Sequence, residues 1–226
     1  MGNRRVLRDL PKRAVVLLSG GIDSVTTLYY ALNQGYQIRA LGFDYCQRHK
    51  KELSFAQKIA NSTHTPYSIV KISLPWAKSS LTQPKLTVPI NRDLDSKDIP
   101  VTYVSGRNII FLSYAVSFAE SIGADTVFIG AHIQDYSGYP DCRPQFLKSF
   151  ETAAANGLAN NKIKIKAPLL YKTKKQIIQL GLKLKVPFGL TWSCYNGQKY
   201  PCKECDSCRY RAGAFKKLGV KDSHGR

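Results

Sequence analysis

Apolar positions in the first half of the chain follow two alternating rhythms. Short continuous runs, AVVLL (14–18), IRALGFDY (38–45) and YSIVKISL (67–74), predict strands, the second of them buried. Between them, DSVTTLYYALNQG (23–35) and HKKELSFAQKIANS (49–62) space their apolar residues as helices do. Asp23 is placed to cap the first helix and Gly35 to end it. A β-α-β-α-β order calls for parallel strands joined by crossover helices, hence an α/β, doubly wound, mainly parallel sheet. Further on, residues 108–124 carry apolar residues at 109, 112, 116 and 119, a helical period. TVFIGA (126–131) predicts a fourth strand, residues 144–156 a helix, and TKKQIIQLGLKL (173–184) a final core helix. The stretch from Lys85 to Gly106, with Pro89, Pro100 and several aspartates, breaks the rhythm and reads as an irregular active-site loop or lid. From Thr191 the pattern changes to a short cysteine-rich module, which divides the chain into an α/β domain at 13–190 and a module at 191–218.

Composition narrows the classes. At 226 residues, 43% hydrophobic and 22% charged, the chain can bury one sizeable core plus a small appendage. The basic N-terminus lacks an apolar signal stretch, and AVVLL is too short to span a bilayer. The expectation is a cytoplasmic protein without a membrane partner. A formal net charge of +19 draws anions, whether nucleotides, small acids or a nucleic-acid backbone, or it serves solubility alone.

Candidate chemistry gathers at the predicted strand ends. SGGIDS (19–24) lies where the first strand hands over to a helix, the natural place for a phosphate. Gly20 and Gly21 let the backbone approach an anion, Ser19 and Ser24 add hydroxyl donors, and the helix start offers unpaired N–H groups. The loop matches neither GxxxxGK[ST] nor GxGxxG. Asp23 suits an anion site only when a divalent cation accompanies the phosphates, and otherwise serves as a helix cap. After the second strand, Asp44, Gln47, Arg48 and His49 gather at the carboxyl edge of the sheet, where open α/β sheets bind ligands. Arg107 and Asn108 open a helix, and Asp135, Ser137, Tyr139, Asp141 and Arg143 follow the fourth strand.

Four of the six cysteines, Cys194, Cys202, Cys205 and Cys208, crowd into C-x7-C-x2-C-x2-C. In a chain without a secretion signal this spacing points to a metal rather than to disulfides. Four thiolates suit one tetrahedral structural zinc, with Lys199 and Lys203 offsetting the charge; an iron–sulfur cluster can use the same ligands.

These motifs together carry a resemblance. SGGIDS resembles the pyrophosphate loop of the PP-loop ATPases, the N-type ATP pyrophosphatases with an adenine nucleotide alpha hydrolase-like fold. In order, SGGIDS, DYCQRHKKE, SGRNIIFLSYA, GAHIQDYSGYPDCRPQF, TKKQII and TWSCY…CKECDSCRYRAGAF resemble the 7-cyano-7-deazaguanine (preQ0) synthases of queuosine biosynthesis, over about residues 13–218. Two positions depart from the family pattern: Cys46 stands where a glycine is usual and Ser105 where a proline is common.

The resemblance implies an ATP-dependent ligase that converts 7-carboxy-7-deazaguanine and ammonia into the nitrile through adenylated intermediates, with ATP, Mg2+ and one structural Zn2+, as a homodimer and without nucleic acid. It implies that Leu17 and Leu18 lead into the nucleotide cleft, and that Ser19, Gly20, Gly21, Asp23 and Ser24 hold the phosphates. Asp23, Ser24, Arg107 and Asp135 are then the catalytic candidates. Gln47, Arg48, His49, Arg107, Asn108, Asp141 and Arg143 are the candidates for substrate, and Cys194, Cys202, Cys205 and Cys208 for metal. Within the same superfamily a tRNA-modifying ligase or thiolase is the alternative, favoured by the positive charge; a zinc-ribbon nucleic-acid module would leave SGGIDS unexplained.

Overall fold

The computed structural model describes residues 12–94, 98–132, 139–160 and 162–223. Five parallel strands form one sheet: β1 (Arg13–Leu17), β2 (Gln37–Asp44), β3 (Tyr67–Lys71), β4 (Thr126–Phe128) and β5 (Lys164–Lys166). Their order across the sheet is β3-β2-β1-β4-β5. Among the described residues six α-helices accompany them: α1 (Ile22–Asn33), α2 (Lys51–Ser62), α3 (Arg107–Ser121), α4 (Pro144–Gly157), α5 (Lys174–Lys183) and α6 (Asp206–Leu218).

The period of two along a strand decides which helices cover which face. In β1, Ala14 and Val16 join Val25 and Leu28 of α1, Ile59 of α2, Ile177 and Ile178 of α5, and Ala214 and Phe215 of α6 in one buried cluster. Val15 and Leu17 point the other way, into a second cluster with Leu112, Ala115 and Val116 of α3 and Leu147 of α4. Both faces of the sheet are therefore covered, which is why its central strands read as unbroken apolar runs. β5 is an edge strand whose two lysines are exposed, a common protection of an open edge.

The strand order reverses at β1. β2 lies on one side of it and β4 on the other, so the loop leaving β1 opens into a crevice at the topological switch point.

Three local expectations change, and one beside them holds. Asp23 does not cap α1: Gly21 is the N-cap residue and the Asp23 carboxylate turns toward other groups. Gly35, at φ 78°, does end that helix. Ile109 is half exposed in the first turn of α3, so the buried stripe there is Leu112, Ala115, Val116 and Ala119. The last core helix is α6 rather than α5. The cysteines obscured its short apolar face, of which Ala214 and Phe215 pack onto the main core.

Candidate active site

A cleft of about 240 Å³ opens at the carboxyl ends of β1, β2 and β4. Two stretches of chain chemistry meet in it. One wall carries Leu17, Leu18, Ser19, Gly21, Asp23, Ser24 and Lys174; the rest of the lining includes Tyr45, His49, Glu52, Arg107, Asn108 and Tyr195, with the Glu52 backbone meeting the loop at Gly20.

The loop after β1 is held open from within. The Ser19 N–H donates to the Ser24 hydroxyl at 3.2 Å, the Gly21 N–H to the Ser19 hydroxyl at 3.3 Å, and the Ser24 hydroxyl reaches the Gly21 carbonyl at 3.1 Å. The turn leaves the first amides of α1 without intrahelical partners and at the positive end of the helix dipole. Gly20 is needed for two reasons. Its φ of 87° favours glycine, and a Cβ there would lie 2.4 Å from the Glu52 carbonyl oxygen and 2.7 Å from the Ala56 amide of α2. Gly42 on β2 is needed for space alone: Tyr67 crosses over it to donate to the Leu18 carbonyl at 3.3 Å, and a Cβ would collide with that ring.

Asp23 sits at the centre of a charge cluster assembled from three distant segments. Both its oxygens lie 2.7 Å from the Lys174 ammonium, and the His132 Nε2 is 3.4 Å away. Burial alone would raise its pKa, but Lys174 and His132 outweigh burial and hold the carboxyl below the usual carboxylate range. Lys174 opens α5 beside a complete capping box between Thr173 and Gln176, which fixes the start of that helix. Neither Lys174 nor His132 was singled out from sequence as a phosphate-side residue. TKKQII holds the signal for Lys174 and GAHIQD that for His132, but a lysine at a helix start is ordinarily solvated and a lone histidine ordinarily structural.

In the rest of the lining, Arg107 donates to the Tyr45 hydroxyl at 3.1 Å and lies over the rings of Tyr45 and Phe111. Burial works against its charge, yet the oxygens of Tyr45, Tyr139 and Asp141 raise its pKa, so it remains a fixed cation. Burial chiefly, with the Glu52 charge adding to it against the pull of Arg107, pushes the Tyr45 phenol up to about 12.

The other candidates fall in different places. Asp141 is buried and accepts the Asn108 N–H at 2.8 Å, which satisfies an otherwise open amide at the start of α3. The Asn108 side chain reaches the Cys142 sulfur at 3.1 Å. The buried Gln47 amide accepts from the Tyr45 N–H and donates to the Phe43 carbonyl, shaping the turn after β2. Arg48 turns away from the cleft and gives its guanidinium to the carbonyls of Gln83, Pro84 and Leu86, anchoring the irregular segment that follows. Arg143 is exposed at the start of α4. Asp135 and Ser137 lie outside the described residues.

The four clustered cysteines meet as their spacing requires. Their sulfurs lie within 4.8 Å of one another, all are free of disulfides, and Cys194 and Cys205 are fully buried. The Cys202 N–H points at the Cys194 sulfur and the Cys205 N–H at the Cys202 sulfur, both at 3.3 Å. Shared sulfur–hydrogen contacts lower Cys194 and push Cys205 up to about 12; four thiols packed this closely cannot all ionise without a cation. The donor set fits a metal that favours thiolates.

This module also builds part of the cleft. The Trp192 N–H donates to the Gly20 carbonyl at 2.9 Å, so the polypeptide leading into the cysteines braces the phosphate loop. Buried Arg211 of α6 holds that polypeptide from behind, through Phe188, Thr191 and a two-point pair with Asp222. The segment at 85–106 is strapped to the same module. Ile90 bridges Cys205, Arg92 pairs with Asp206 at 3.0 Å, and the Tyr210 hydroxyl donates to the Leu94 carbonyl at 2.9 Å.

A β3-β2-β1-β4-β5 parallel sheet with SGGIDS at its switch point defines a PP-loop nucleotide-binding α/β protein. Solved structures share the fold: the NMN synthetase from Francisella tularensis (TM-score 0.54, 16% identity, 94% of this chain and 79% of that one) and the U34-tRNA thiolase NcsA from Methanococcus maripaludis (TM-score 0.50, 18% identity, 96% and 68%). Within that class the family is specific. The model for the queuosine biosynthesis protein QueC matches residues 13–219, and the chain belongs to that family. Curated relatives bear the name 7-cyano-7-deazaguanine synthase. That of Picrophilus torridus is 52% identical over 215 residues, covering 93% of this chain and 90% of that protein. That of Clostridium kluyveri is 49% identical over 218 residues, covering 93% and 96%.

Proposed function

We propose that this protein makes 7-cyano-7-deazaguanine for queuosine biosynthesis, as an ATP-dependent ligase acting on 7-carboxy-7-deazaguanine and ammonia. The observation that carries the reading is the meeting, in one cleft, of the SGGIDS loop with a second wall that holds a fixed cation, Arg107.

The chemistry explains why both walls are needed. A carboxylate resists attack because its oxygen leaves poorly. Transfer of AMP to that oxygen corrects this, ammonia then gives the amide, and a second activation of the amide oxygen followed by loss of AMP gives the nitrile. The amides of residues 20–24 and the Lys174 ammonium are suited to the departing pyrophosphate, whose negative charge grows as the bond to the α-phosphorus breaks. Arg107 suits the substrate carboxylate, because a guanidinium pairs with both of its oxygens and holds it for in-line attack.

Asp23 offers hard oxygen donors toward the cleft, which suits Mg2+; the ion, when bound, would neutralise phosphate charge. Release of Asp23 would free Lys174 for phosphate. Zn2+ suits the four cysteines as a structural ion, since four protein ligands leave no open position. A homodimer and a cytoplasmic setting belong to the same proposal.

The tRNA-modifying alternative has little support: Cys142 is engaged by Asn108, and the other cysteines apart from exposed Cys46 form one closed set. The deciding experiment is incubation with ATP, Mg2+, ammonium and 7-carboxy-7-deazaguanine, followed by mass analysis. The nitrile is the expected product. Disappearance of the acid without amide or nitrile would refute the assignment and leave the fold class standing.

A further inference from the structure

Glu52 lies on the second wall of the cleft, in the first turn of α2, and has no role in the chemistry described so far. Two groups fix its carboxylate. Gln47 cannot flip: its carbonyl oxygen takes the Tyr45 N–H at 2.8 Å, so its amide nitrogen must face the Phe43 carbonyl at 2.9 Å and Glu52 Oε1 at 3.3 Å. His49 Nε2 lies 3.3 Å from the same Oε1. The His49 Nδ1 is buried without a hydrogen-bond partner, a place that suits a bare lone pair better than an N–H.

Oε1 thus takes the Gln47 amide and lies beside the His49 ring. Oε2 takes no hydrogen bond among the described residues and is not among the sealed, unpartnered atoms, on a residue that lines the cleft. The backbone of Glu52 packs against Gly20 of the phosphate loop, and its charge is felt at both Tyr45, the partner of Arg107, and Tyr67, which reaches Leu18. One carboxylate oxygen therefore stands between the phosphate loop and the Arg107 wall, oriented and uncommitted.

We propose that Glu52 is the ammonium site of this enzyme, with Gln47 and His49 as its positioning residues. This rests on the ligase reading above. Ammonia arrives at neutral pH as ammonium, which has no lone pair. Glu52 Oε2 binds the cation and takes one proton, freeing the nitrogen pair. That pair bonds to the acyl carbon, the carbon–oxygen bond to phosphate breaks with its electrons remaining on the AMP oxygen, and a second proton passes from the new nitrogen to water. Glu52 returns its proton to solvent. A carboxylate attracts ammonium and repels the substrate acid, so it does not compete with Arg107 for that ligand.

Glu52→Gln tests this because it keeps the shape and removes the charge. The wild type should exchange pyrophosphate into ATP when given the acid without ammonium. In Glu52→Gln that exchange should stay within about threefold, while kcat/KM for ammonium falls about 100-fold. Hydroxylamine, which is uncharged at neutral pH, should still trap the adenylate within about threefold of wild type. An equal loss in exchange or in hydroxylamine capture overturns the proposal and makes Glu52 a structural residue. If thermal melting shows that Glu52→Gln does not fold, His49→Gln is read the same way, with about a tenfold selective loss for ammonium expected and an unselective loss overturning the proposal. A wild type that shows no acid-dependent exchange refutes the ligase reading itself.

Discussion

The two walls of the cleft are built on different plans. The phosphate wall is mostly local: six consecutive residues, SGGIDS, turn on their own serine hydroxyls and lead straight into α1. The second wall and its bracing draw on β2, α2, α3, the 188–195 polypeptide and α6, which meet only when the whole chain is folded. A local site is limited by backbone geometry and is legible as a motif. A distributed site is limited by everything that holds its pieces in register, here by the cysteine module. Damage to the first should be chemical and contained, and damage to the second should spread.

The sharpest separation comes from Lys174→Ala on the phosphate wall. Pyrophosphate exchange should fall about 1,000-fold, because a charge aimed at the leaving group is lost, while the thermal midpoint moves little. Disrupting the four-cysteine cluster should do the reverse. Chelation, or Cys205→Ser, should loosen the strap of residues 85–94 and expose it to protease before the sheet unfolds, since Ile90 bridges Cys205 itself and Arg92 depends on Asp206 one residue later. Unchanged proteolysis at 85–94 after chelation would show that the strap is independent of the cysteines.

Two smaller effects sharpen the same contrast within the loops. The folded Asp23 carboxyl has a lowered pKa, so its contribution to stability is complete above the unfolded value near 3.8 and is lost as pH falls through the folded value. Urea midpoints of wild type and Asp23→Asn should therefore differ at pH 6 and converge below pH 3.8; because Asp23 is 27% exposed, the gap should stay below about 1 kcal/mol. Cys46 adopts φ 63° at an exposed turn, the conformation that favours glycine. Cys46→Gly should raise stability by up to about 1 kcal/mol with catalysis unchanged, as measured by urea unfolding and turnover.

How much of this was legible in the sequence follows from the same division. Strands β1, β2 and β4 and helices α1 to α5 are readable from apolar runs and helical spacing, and β3 from its β-branched residues alone, since none of its five residues is buried. So were SGGIDS and the cysteine spacing, both contiguous. The partners of Asp23 were not readable, since Lys174 is 151 residues away and meets it only through the packing of α5 on α1. Nor was the division of labour inside DYCQRHKKE. Its charged and polar residues look alike in sequence, yet Arg48 turns to loop carbonyls, Gln47 to the backbone of its own turn and Glu52 to the cleft. The helix α6 was hidden because its first turn is spent on cysteines.

The central claim is that the phosphate loop serves adenylation of a carboxylate seated on the second wall. Oxygen-18 in both carboxylate oxygens of the substrate tests it directly. Each activation should pass one labelled oxygen to AMP, so that two singly labelled AMP molecules accompany each nitrile. Label found in water or inorganic phosphate, or ADP in place of AMP, would contradict it.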